Sequence, residues 1–172
     1  MLAGRPVHPQ FNFRSLSWLI KLLCDAGDAV LAPKPGYPLI ESIARLECVD
    51  MIEYQQRFDG SWYIDVAELK TALEGPDGNR IRALVLINPN NPTGSYVKPS
   101  EREAIVRLCR DHDVAIIADE VFYDYDLEPF EGMYDSRGSV ARSHSRWTVF
   151  RKCSPHRMPK SAGSKCPDRQ KT

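Results

Sequence analysis

Apolar residues recur along this chain with two different periods, and the alternation between them is the first thing the sequence offers. Leu16, Leu19, Ile20, Leu22 and Leu23 form a helical stripe closed by the turn at 25–28. Residues 29–32 are a short apolar run, stopped by Pro33, Pro35 and Gly36, which predicts a buried strand. A helix is expected over 39–46 and a strand over 48–54. Asp65 stands where a helix cap belongs, with Glu68 three residues later, predicting a capped helix to Leu73. The run IRALVLI at 81–87 is apolar throughout, as a strand is when both sheet faces are covered. Ser100, with Glu103 behind it, predicts a helix over about 101–112, and VAIIA at 114–118 predicts the next buried strand.

Strand, helix and strand in this order imply βαβ units. The expected fold class is therefore α/β, a partial three-layer αβα arrangement with a mainly parallel sheet. The patterning also divides the chain. Residues 1–13 show no period, 14–130 carry the elements, and 131–172 are rich in Arg, Lys, Ser, Pro and His with few recurring apolar residues. The first and last stretches are expected to be irregular.

Composition mainly excludes. Lys plus Arg and Asp plus Glu are 23 each, so no net field draws in nucleic acid or an acidic membrane. The basic tail at 137–171 lacks interleaved aromatics, and no nucleic-acid partner is expected. No apolar run approaches the ~18 residues of a membrane span, and no signal pattern opens the chain. The five cysteines have no paired spacing, the nearest being Cys153 and Cys166. That argues against a zinc site or a disulfide framework and for a reducing compartment, with a cytoplasmic protein as the default. Cys24, Cys48 and Cys109 fall on expected helix or strand positions and read as core. His112 reads as a partner of a helix C-terminus.

The chemistry collects at two strand ends. NPNNPTG follows the 81–87 run, and Asp119-Glu120 follow 114–118. In open parallel sheets ligands bind beyond the carboxyl ends of the strands, and adjacent strands would bring both clusters to one rim. Taken singly, each could be turn chemistry or helix capping.

Together, NPNNPTG and the later IADEVFYDY resemble the core of the class I/II aminotransferases, on the type I fold of pyridoxal-phosphate enzymes. APKPGYPLIE and SLSWLIKLLCDAGDAVL fit the same resemblance, which covers roughly residues 14–130. It implies pyridoxal 5'-phosphate as cofactor, an amino acid and a 2-oxo acid as substrates, and a homodimer in intact relatives. Much of what would build that interface is missing here. By the resemblance, Asp119 would keep the cofactor's pyridine nitrogen protonated, Asn91 would donate to its ring oxygen, and Tyr37 would stack on its ring. Pro92 and Gly94 would shape the turn, with Thr93 packing or capping. Related lyases or decarboxylases of the same fold, and a non-catalytic relative, use or retain the same residues and stay open as alternatives.

The resemblance also fails in places. Phe122 stands where many relatives carry a tyrosine, and Tyr123 is one position late. No Schiff-base lysine is identifiable, so no catalytic residue is named: Lys152, Lys160 and Lys165 lie in no recognisable strand, although Ser164 precedes the last. No phosphate-binding turn and no metal ligands can be read. Codons compatible with 146–154 in a shifted frame can spell a Ser-Lys segment, and those for 8–15 a serine-rich turn. The expectation is that frameshifts flank 14–130 and that the chain as written is inactive.

Overall fold

The structure, a computed structural model, describes residues 13–122 and 147–150. Its strands are β1 (Ala29–Lys34), β2 (Asp50–Phe58), β3 (Trp62–Ile64), β4 (Ile81–Ile87), β5 (Ala115–Asp119) and β6 (Trp147–Phe150). Their order in the sheet is β3-β2-β1-β4-β5-β6. Helices separate β1 from β2, β3 from β4 and β4 from β5, while β2 and β3 form a hairpin and β6 closes one edge. The four central strands are parallel, while β3 and β6 pair antiparallel at the edges. The expected α/β class with a mainly parallel sheet is what is found.

Helices cover both faces, so β1, β4 and β5 are buried on both sides, while β2 is buried through Tyr54 and Gln56 alone. On one face α1 (Phe13–Leu23) and α2 (Leu39–Leu46) place Leu16, Ile20, Ile40 and Ile43 against Val30, Val85 and Ile117. On the other, α3 (Val66–Glu74) and α4 (Pro99–Asp111) place Leu69, Leu73 and Ile105 against Leu31, Leu84 and Ile116. Neighbouring residues thus enter opposite clusters, the period-two alternation of a pleated strand. A bulge interrupts that period at the start of β4. Ala29 pairs with Ile81 but Val30 with Ala83, which leaves Arg82 as the extra residue, turned to Asp28 at 3.0 Å. Tyr54 is buried on the α3/α4 side, and its hydroxyl donates to the Val85 carbonyl at 3.0 Å.

Several expectations need correction. β1 runs on through Pro33 and does not stop there. Its pairing with β4 ends at Leu31, so beyond that point it behaves as an edge, where a missing N–H is tolerated. β2 starts at Asp50, because Cys48 sits in a turn at φ 57° and is exposed. Cys48 is therefore not core, unlike Cys109, while Cys24 is half-buried. Leu22, counted in the buried stripe, faces solvent. The cap of α4 is Lys98, not Ser100. Pro99 takes the first helical position with its fixed φ, and Glu101, not Glu103, accepts from the Lys98 N–H at 2.9 Å. At α3 the Asp65 half of the capping box forms, but Glu68 turns to Arg57. Strand β3 is unforeseen. Within 131–172, read as irregular, residues 147–150 form β6.

Among the described residues no helix is long and apolar enough to cross a membrane. Residues 1–12, Tyr123, Cys153, Cys166, Ser164 and the three candidate lysines Lys152, Lys160 and Lys165 lie outside the described residues.

Candidate functional site

Strands β4 and β5 end side by side, with Ile87 opposite Asp119, and the Asn88 N–H donates to the Asp119 carbonyl at 2.8 Å. The two polar clusters therefore do share one rim. The loop after β4 is folded by its own asparagines. Asn88 Oδ1 accepts from the Val97 N–H at 3.0 Å, which pins the loop's far end back to the strand. The Asn90 carbonyl accepts from the Gly94 N–H at 2.7 Å, and the Asn90 N–H donates to the Ser95 carbonyl at 2.8 Å. Gly94 has φ 68°, a conformation that costs a side-chain-bearing residue strain, so its expected place in the turn has a backbone reason. Thr93 Oγ accepts from the Ser95 N–H and from Asn90 Nδ2.

The third contributor is the turn after β1. A Cβ on Gly36 would lie 2.1 Å from the Pro33 carbonyl oxygen, so the chain can fold back here only because that atom is missing. The turn presents Tyr37 immediately before α2.

A cavity of about 230 Å³ opens between these segments. Tyr37, Asn91 and Asp119 all line it, together with Leu16, Ile87 and Phe122. The three residues singled out from the sequence, 82 positions apart at the extremes (119 − 37), are thus brought to one concavity. Glu120 is not there. It is buried on the opposite side of the rim, beside Asn88, Val97 and Arg102, because consecutive residues leave a strand end on opposite faces. Phe122 lines the cavity and brings no hydroxyl to it.

The walls are mostly apolar, and this sets the electrostatics. Burial pushes the Asp119 carboxyl from its ordinary 3.8 up to about 6, with Glu120 adding to the rise. The Val121 N–H, donating to Asp119 Oδ1 at 3.1 Å, works against it. A carboxylate held in this way favours a cationic or strongly donating N–H group in front of it, which would restore its charge. Tyr37 is half exposed, with its ring on the cavity wall. Asn91 supplies an amide, able to donate or accept. The first turns of α1 also reach the cavity through Leu16, so the positive end of that helix dipole lies on the same side. A flat heteroaromatic ligand with a basic ring nitrogen suits this set.

Sequence reasoning missed the polar layer beneath these residues. Asn90 and Gln56 are almost fully buried, and Asn90 Nδ2 lies 3.0 Å from Gln56 Oε1. Asn90 stood inside the quoted motif, but its partner is 34 residues away on β2, and only the sheet brings them together.

Comparison with known proteins agrees with this geometry. The family described as Aminotransferase class I and II matches residues 15–147. A mitochondrial alanine aminotransferase of Arabidopsis thaliana is 33% identical over 71% of this chain and 23% of its own length. The glutamate-pyruvate aminotransferase of Haemophilus influenzae is 30% identical over 70% of this chain and 30% of its own. Among solved structures, an alanine aminotransferase from Pyrococcus furiosus superposes with a TM-score of 0.60 at 28% identity, over 70% of this chain and 29% of that one. The chain spans between about a quarter and a third of the length of these relatives.

Proposed function

Since the chain belongs to the class I and II aminotransferase family, we propose that the cavity at the strand ends is the ring-binding part of a pyridoxal 5'-phosphate site and that the protein serves amino-group transfer from an amino acid to a 2-oxo acid. The observation that carries this reading is the convergence of Tyr37, Asn91 and Asp119 on one cavity. When bound, the cofactor supplies an electron sink for negative charge developing at the amino acid's α-carbon.

The chain's own residues have the following parts. Asp119 holds a proton at the ring nitrogen. Its raised pKa means that it gains a full charge most readily when that cationic N–H faces it. Tyr37 covers a ring face, and Asn91 donates from its amide to the ring oxygen. Leu16, Ile87 and Phe122 keep water from the ring, which strengthens the Asp119 interaction.

The names of the relatives point to alanine, pyruvate and glutamate as the first substrates to try. The same names include mitochondrial proteins, so the reading is a cytosolic or mitochondrial protein, both compatible with the free thiols of Cys24, Cys48 and Cys109 among the described residues.

The test is a titration of the purified 172-residue chain with pyridoxal 5'-phosphate, followed by absorbance and tryptophan fluorescence. Saturable, weak binding that Asp119→Asn removes is expected. Binding indifferent to that substitution would move the site elsewhere. No turnover of alanine with 2-oxoglutarate is expected from this chain, since none of its lysines is identified as the covalent partner of the cofactor. Measured transamination would overturn that part.

A further inference from the structure

Beneath the cavity, a single buried side chain ties together the two loops that form its walls. Asn90 is 2% exposed, and its Nδ2 lies 3.1 Å from the Pro35 carbonyl, 3.0 Å from Gln56 Oε1 and 3.0 Å from Thr93 Oγ. Pro35 is two residues before Tyr37, and Asn90 is the residue before Asn91. Thr93 in turn reaches Ser95 Oγ at 2.7 Å and Gln56 Oε1 at 3.4 Å.

The orientation of the amide follows from its neighbours. A backbone carbonyl can only accept, so the atom facing Pro35 must be the nitrogen. The Asn90 Oδ1 is then turned away, buried and without a hydrogen-bond partner. Leaving a buried amide oxygen unpaired is unfavourable. The site keeps it because what position 90 requires is a donor able to reach two loops and β2 at once.

We propose that Asn90, seated on Gln56, is a positioning residue that sets the placement of Tyr37 relative to Asn91 across the cavity. This rests on the cofactor reading above but concerns a group that does not touch the cavity. Asn90 and Gln56 are absent from its lining, and they act through the residues that form it. Without the clasp, the Pro35–Tyr37 turn would keep only its local bonds, such as the Ile40 N–H to the Tyr37 carbonyl at 3.3 Å.

The discriminating variant is Asn90→Asp, which keeps the shape but presents an oxygen to the Pro35 and Gln56 oxygens. Hydrogen exchange of the chain without added cofactor should quicken about tenfold or more in 35–40 and 88–97 together, while β1, β4 and β5 keep their protection. Affinity for pyridoxal 5'-phosphate should fall about tenfold in the same variant. Gln56→Met, which retains bulk and removes the acceptor, should reproduce both effects at smaller size and serves if Asn90→Asp does not fold. Exchange that quickens in 88–97 alone, or uniformly over the sheet, would overturn the proposal, as would unchanged affinity in a variant whose loops are loosened. A wild-type chain that binds no pyridoxal 5'-phosphate would sink the cofactor reading, yet the coupled exchange of the two loops would still decide whether the clasp exists.

Discussion

The two ends of the parallel strands solve opposite problems. At the amino ends, charge is met by charge at the surface. Arg80 reaches Asp50 and Asp77, and Arg82 reaches Asp28. Exposed pairs also occur at the carboxyl ends, Lys34 with Glu53 and Arg57 with Asp65, but there polar groups are in addition taken out of water. Among the described residues all four buried polar ones, Gln56, Asn88, Asn90 and Glu120, lie at or just beyond those ends, and Asp119 stands beside them. The Arg80 pairs lie in high dielectric and contribute little either way, and the part-buried Arg82–Asp28 pair satisfies both its partners. The carboxyl-end arrangement makes ionisation of an acid costly by burial and leaves an amide oxygen unpaired. A fold gains nothing from that arrangement unless something else is to be bound there.

The sharpest way to break this contrast is Asp119→Asn. It should weaken pyridoxal 5'-phosphate binding by roughly 10- to 100-fold, the worth of one hydrogen bond to a charged group. The same change should stabilise the chain. Asp119 binds its proton more tightly when folded, at about 6, than the ordinary 3.8 of an exposed carboxyl. Between those values the folded chain holds more protons than the unfolded one, so stability is lost as pH rises from about 4 through 6. The loss is on the order of 2–3 kcal/mol. Urea unfolding at pH 8 and pH 4 should therefore show Asp119→Asn more stable than wild type at pH 8 and level with it at pH 4. An equal difference at both would remove burial as the cause.

Gly36→Ala comes next. It places a Cβ against the Pro33 carbonyl and must displace the Tyr37 turn, costing about tenfold in cofactor affinity with little change at the amino ends. Isothermal calorimetry checks the first effect, and a wild-type affinity would mean the turn does not hold the ligand. The smallest effect belongs to Arg80→Ala. It removes both ion pairs of an exposed guanidinium and should leave cofactor affinity at the wild-type value. A matching loss there would erase the distinction between the two ends.

What could be read from the chain follows the same division. The elements whose signal is local came through with their bounds: α2 from its apolar stripe, β4 from an unbroken apolar run. The α4 cap was misplaced because Ser100 is a better capping residue than Lys98, yet Pro99 fixes the helix start two residues earlier. β3 went unseen since three residues carry too little period, and its existence depends on the hairpin with β2. At the site, Tyr37, Asn91 and Asp119 were legible because they belong to contiguous motifs. Gln56 was not, since its polar head is buried only by virtue of the register that sets β2 beside β1 and brings it under the Asn90 loop.

The central claim is that Asp119 faces the ring nitrogen of pyridoxal 5'-phosphate in the cavity it shares with Tyr37 and Asn91. It is tested most directly by 15N NMR of ring-labelled cofactor bound to the chain near pH 8. The account predicts a protonated ring nitrogen in the wild-type complex and an unprotonated one in whatever cofactor Asp119→Asn still binds. An unprotonated nitrogen in the wild type, or the same signal in both, would contradict it.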